Sequence, residues 1–147
     1  MAIIDTSVTG SYNEDRDENI FIGLDLPIRK SDGVEGYFAS TSTTIASVKN
    51  NIRYLLLTSK GERLMHPTLG LGLRDKLFSQ MGNETTENIE NDIRTTLTRW
   101  LPFVTVSNII INRKGSGDAN TLSVSLEFFI NNDPRITDSV DVAITGD

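Results

Sequence analysis

No cysteine occurs in the 147 residues, and histidine occurs once, at His66. The first absence excludes disulfides, thiolate nucleophiles and every cysteine metal site. The second leaves no histidine pair for zinc, so neither a metal nor a cofactor is expected. Long hydrophobic runs are missing too. Nothing approaches the roughly 20 apolar residues that span a bilayer, so no membrane partner is expected. The opening MAIIDTSVTG has neither a basic n-region nor an apolar h-region, and no secretory signal is expected from it. Positive charge is also short, at 14 Lys and Arg against 20 Asp and Glu, for a net −6. Residues 1–19 hold −4 of this and residues 131–147 hold −3, which leaves +1 for everything between. Nucleic acid is not an expected partner for such a balance.

What is present suits one compact domain that buries roughly two-thirds of its unfolded surface. Residues 1–19 are polar and aperiodic and read as an arm. From Ile20 the chain alternates, with Ile20, Ile22, Leu24 and Leu26 on one face as in a strand, until Pro27 stops it. Residues 29–36 form a turn-rich loop, and Tyr37 and Phe38 are expected to anchor its far end on the core. Capping residue types at 40–44 precede Ile45, Val48, Ile52, Leu55 and Leu56 at helical spacing, and Gly61 is placed to end that helix in a left-handed conformation.

Residues 55–78, LLLTSKGERLMHPTLGLGLRDKLF, concentrate the backbone-special residues. Gly61, Pro67, Gly70 and Gly72 between two helices predict a corner of fixed shape. Leu73, Leu77 and Phe78 make the face of a short second helix. A third follows, with Ile89, Ile93, Leu97, Trp100 and Leu101 as its stripe, ended by Pro102. Then the period changes. Val104, Val106, Ile109 and Ile111 suggest a strand with an irregularity near Asn108, residues 113–120 a turn, and Leu122, Val124, Leu126, Phe128 and Ile130 a strictly alternating strand. Val140, Val142 and Ile144 alternate again as a third, weaker strand. The expected class is α+β: three helices packed on a small antiparallel C-terminal sheet, with an extended N-terminal arm. The expected division is an arm over 1–41 and an α+β domain over 42–147. A small sheet has exposed edges, and the last strand is expected to be one that accepts a strand from another chain.

For catalysis, Glu62 is the first residue to weigh. A glycosidase needs two carboxyls with divergent protonation, and Asp75 is the only nearby partner. Six Lys and Arg between 49 and 76 surround both acids in sequence and favour their ionised forms, which is wrong for a general acid. A cap or ion pair explains Glu62 better. His66 lacks any recognisable triad, and Gly70-Leu71-Gly72 lacks the Gly-Lys-Ser/Thr ending of a phosphate loop. The basic stretch is either a solvated face or a docking surface for acidic partner segments.

The corner's Thr58, Lys60-Gly61-Glu62-Arg63, Pro67, Gly70, Leu73 and Leu77-Phe78 resemble the signature of the contractile-tail baseplate wedge family, phage sheath initiators with relatives in type VI secretion baseplates. The resemblance runs over roughly residues 42–145. It implies a structural subunit of the virion's tail baseplate, assembled in the host cytoplasm, with other wedge proteins and the tail sheath protein as partners. It implies partner-binding roles for Glu62 and Arg63 and a strand-exchange role for Val140, Val142 and Ile144. The family's Glu-Pro-Arg triplet after the third helix stands here as Leu101-Pro102-Phe103. Only Pro102 matches, so an apolar contact by Leu101 or Phe103 would replace the salt bridge. The family also carries a lysozyme label, which makes a peptidoglycan-cleaving hydrolase the alternative; an adaptor in a secretion baseplate is a third reading. Truncation after Ile136 is expected to leave a folded domain unable to start a sheath.

Overall fold

The computed structural model describes residues 21–25, 27–31, 37–77, 83–116, 119–131 and 133–145. These divide into two compact units, Met1–Asn51 and Ile52–Asp147, with the boundary inside a helix. None of the described helices is long and apolar enough to cross a membrane.

In the first unit, β1 (Gly23–Leu24) pairs antiparallel with β2 (Ser40–Thr41). The pairing is prolonged by Ile22 N–H on Thr41 O at 2.8 Å and Asp25 N–H on Ala39 O at 2.9 Å. The regular strand is only two residues long, far shorter than the alternation from Ile20 implied. Its register also differs, because Leu24 is 52% exposed while Gly23 lies close to Ser47. The buried Asn50 side chain donates to Leu24 O at 3.1 Å, so a polar bond rather than apolar packing holds this segment. Tyr37 and Phe38 do not anchor a core. Tyr37 is 70% exposed, and the two rings meet each other edge-on at 4.9 Å. Residues 1–20 of the expected arm lie outside the described residues.

Helix α1 (Thr44–Leu57) begins where Thr43 Oγ1 accepts the Ala46 N–H at 3.3 Å, an ordinary N-cap. Val48, Ile52, Leu55 and Leu56 are buried as their spacing requires. Its last turn is closed by Thr58, whose N–H and hydroxyl both bond Tyr54 O. Gly61 therefore does not end the helix, although its φ of 87° is left-handed.

The second unit holds α2 (Leu73–Leu77), α3 (Asn83–Trp100) and a sheet of three antiparallel strands in the order β3 (Val104–Ser116), β4 (Ala119–Ile130), β5 (Asp133–Thr145). Helix α3 lies against β3 and α2 against β4. Leu122, Val124, Leu126, Phe128 and Ile130 are all buried, as their alternation predicts, and so are Val140, Val142 and Ile144. The irregularity expected near Asn108 is a register shift between Val106 and Asn108. Two expectations were too short. Arg113 to Ser116 continue β3, paired down to Ser116 with Ala119, where a turn was expected over 113–120. The last strand runs thirteen residues and pairs with β4 along most of its length. In both places backbone pairing across the sheet overrides polar, turn-prone composition.

Candidate functional site: a locked corner and an open sheet edge

The corner, residues 58–72, is held by its own backbone. Gly61 N–H bonds Pro67 O at 2.8 Å, which closes a small loop around Glu62 to His66. Leu71 N–H bonds Leu55 O and Gly72 N–H bonds Thr58 O, both at 2.9 Å, and these tie the corner to the last turn of α1. Gly61, Gly70 and Gly72 have positive φ, and no other described residue does. At Gly70 the reason is close approach: a Cβ there would sit 2.9 Å from the Thr58 carbonyl carbon and nearer still to its oxygen.

Glu62 is exposed, and its Oε2 accepts the Ser59 N–H at 3.0 Å. It satisfies the backbone donor of a residue just past α1, inside the turn that the Glu62 N–H closes on Ser59 O at 3.2 Å, so Glu62 braces the loop rather than the helix end. Arg63 lays its guanidinium over the Tyr54 ring at 4.9 Å, and His66 meets Trp100 edge-on at 5.9 Å. Replacing Glu62 with Gln keeps an acceptor oxygen at that position. Its thermal midpoint is therefore expected to match wild type, with Glu62→Ala lower by about 0.5–1 kcal/mol of stability in a urea titration. Among the described residues no group of three His, Asp or Glu side chains is arranged to hold a metal.

The sheet presents two edges of different character. Ser123 Oγ reaches Asn112 O, its cross-strand neighbour, at 3.2 Å, so Asn112 points its backbone toward β4. Backbone direction alternates along a strand, and this phase carries across the register to β5. There Val140, Val142 and Ile144 point their backbone groups at β4, while Ser139, Asp141 and Ala143 point theirs outward. The Ser139 N–H agrees, since it bonds the Asp138 carboxylate at 2.7 Å and not a strand. Among the described residues, β5 has β4 as its only neighbour in this sheet. The β3 edge is better defended. It is bent by the bulge at Val106 and Asn108, and Arg94 of α3 donates to Val106 O at 3.2 Å.

The structure thus places the sequence-predicted residues in three groups. Gly61, Glu62, Arg63, Pro67, Gly70, Leu73 and Leu77 belong to the corner and the helix after it, while Phe78 lies outside the described residues. Leu101 is buried, whereas Pro102 and Phe103 are exposed on the shoulder between α3 and β3. That shoulder is fastened by Asn131, whose N–H bonds Phe103 O at 2.9 Å and whose amide bonds Pro102 O at 3.2 Å. Sequence reasoning overlooked Asn131; its only signal was an asparagine in the NNDP break. Val140, Val142 and Ile144 have buried side chains, so only their strand's backbone is available at the edge.

A sequence profile of the family described as "Baseplate wedge protein gp25" matches residues 42–135. The baseplate wedge protein gp25 of Enterobacteria phage T4 is 28% identical over 95 residues, covering 65% of this chain and 70% of that protein. A baseplate subunit in the structure of the anti-feeding prophage is 25% identical with a TM-score of 0.60, covering 76% of this chain and 86% of its own. A crystal structure named as a tail lysozyme from Geobacter sulfurreducens has a TM-score of 0.61 at 23% identity, over 71% of this chain and 92% of that one. At that identity the likeness speaks for the fold alone.

Proposed function

Because the chain belongs to the baseplate wedge protein gp25 family, matched over residues 42–135, we propose that it is a non-enzymatic structural subunit of a contractile-tail baseplate, and that its β5 edge accepts a strand of the tail sheath protein to start sheath assembly. The observation that carries this reading is the outward-facing backbone of Asp141 and Ala143 on an edge that no strand of the described residues covers. An incoming strand would satisfy those groups with main-chain hydrogen bonds. The bulge and Arg94 cap at β3 favour addition on the β5 side alone, and one-sided addition gives an assembly a direction. Other wedge proteins would be met by the corner at Glu62 and Arg63 and by the Pro102–Phe103 shoulder, with the 1–41 arm on a neighbouring subunit and 42–147 as the body. The site of action would be the virion's tail baseplate, assembled in the host cytoplasm.

Ala143→Pro tests the edge. Proline is tolerated on an edge strand where the missing N–H faced outward, so the variant is expected to fold. It removes a donor the incoming strand needs, so tails carrying it should lack sheath by electron microscopy. Ala143→Val, which keeps the N–H, should assemble normally. Normal sheaths on the proline variant would sink the proposal. The hydrolase reading is checked by cell-wall turbidity: no clearing is expected from wild type. Rapid clearing that Glu62→Gln abolishes would overturn the non-enzymatic assignment.

A further inference from the structure

The two most exposed large apolar side chains among the described residues are neighbours: Leu64 at 95% and Met65 at 88%. Both stand at the tip of the corner, inside the loop closed by the Gly61–Pro67 bond, on backbone pinned further by His66 N–H on Arg63 O at 3.2 Å. Two bulky apolar groups on a floppy loop would turn inward or average out. On a locked loop they stay presented to solvent, and the ordering that usually opposes association is already in place. They do nothing for the fold, since they touch almost none of it.

Their surroundings have the composition of an interface centre. On one side Arg63 stacks over Tyr54. On the other, His66 contacts Trp100, and Arg99 lies over that same ring at 5.5 Å. The guanidinium planes are thereby held in place beside aromatic faces rather than left to sweep through solvent. The charge is one-sided: within residues 58–72, Lys60 and Arg63 outnumber Glu62, whose carboxylate is already accepting the Ser59 N–H. We propose that Leu64 and Met65 form a paired plug that inserts into an apolar pocket rimmed by carboxylates on a neighbouring baseplate protein, with Arg63 and Arg99 pairing to the rim. Leucine supplies a shape-defined anchor, and methionine an adaptable one. The rim carboxylates set the orientation of docking, because a basic or neutral rim would leave two arginines without partners.

This rests on the chain's place in a baseplate, and the experiment separates the two. The photocrosslinking residue benzoylphenylalanine is placed at Met65 in the full chain, and tail particles assembled with it are irradiated. Immunoblotting first establishes that the chain is in the particle, and a thermal melt matching wild type establishes that it folds. One dominant adduct is expected. Its partner peptide should come from a different baseplate protein and place Asp or Glu beside apolar residues. Yield should fall about tenfold in an Arg63→Glu/Arg99→Glu background and persist with lysine at both positions. Leu64→Ser/Met65→Ser should fold normally and incorporate poorly. A particle-bound chain that gives no adduct would overturn the plug. So would an adduct to a second copy or to a peptide without acids, or a yield indifferent to charge reversal. A chain absent from particles would overturn the baseplate reading as well.

Discussion

Ending the chain after Ile136 is expected to abolish cooperative folding of what remains of the second unit, residues 52–136, contrary to what the sequence suggested. The deleted part of β5 carries Val140, fully buried, with Val142 and Ile144 at 6% and 8% exposure. Losing three such side chains forfeits about 5–9 kcal/mol of apolar burial. That is comparable with the roughly 5–15 kcal/mol that holds a whole domain together. The deletion also strips the pairing partner from Leu122 through Phe128 of β4, whose buried side chains pack beside those lost. Far-UV circular dichroism through a urea titration should show a broad, early transition or none. A sharp transition at the wild-type midpoint would mean that β5 is peripheral. A strand read as weak and terminal is thus both an edge and a wall of the core. Any loss of sheath assembly by the truncated chain would report unfolding, which is why the single proline at Ala143 is the cleaner probe.

Gly70→Ala is expected to be the most damaging single methyl addition in the corner. The residue has φ +100°, where an L side chain is strained by roughly 1–2 kcal/mol. The new Cβ would also run into the Thr58 carbonyl, which cannot retreat because its oxygen accepts the Gly72 N–H. Relief requires moving the loop off α1 and stretching that bond and its neighbour from Leu71 to Leu55. A total of about 3 kcal/mol follows, lowering the melting point by about 10 °C. Gly61→Ala is the matched control. Its φ is +87°, yet a Cβ there meets nothing within 4 Å, so only the strain of roughly 1–2 kcal/mol remains. Equal melting points for the two variants would show that the close approach at Thr58 carries no weight.

The helices were legible because their apolar residues recur at helical spacing between recognisable ends. Val48 through Leu56 and Ile89 through Leu97 are buried as that spacing demands, and Pro102 stops α3 where its ring must. β4 was legible for the same reason at period two. The N-terminal strand was misjudged because alternation alone does not say which face has something to cover it. Gly23 takes the close position, and Leu24 is left outside. The hairpin end and β5 were underestimated because Arg113, Lys114 and most of residues 133–139 are polar, and composition does not reveal that backbone pairing with β4 holds them in strands.

By itself, then, the order of residues determined the periodicities, the helix stops, the glycines that a corner demands and the absence of thiols and histidine pairs. Local sterics and local spacing act within a few residues, so they can be read along a line. Only the tertiary structure decided that Glu62 accepts the Ser59 N–H in the turn after α1, that Asn131 fastens the shoulder at Pro102 and Phe103, and that β5 turns the backbone of Asp141 and Ala143 outward. It also decided that Leu64 and Met65 face solvent on an anchored loop while equally apolar neighbours are buried. Burial and edge exposure are properties of what lies opposite in space, and hydrophobicity along the chain does not specify what that will be.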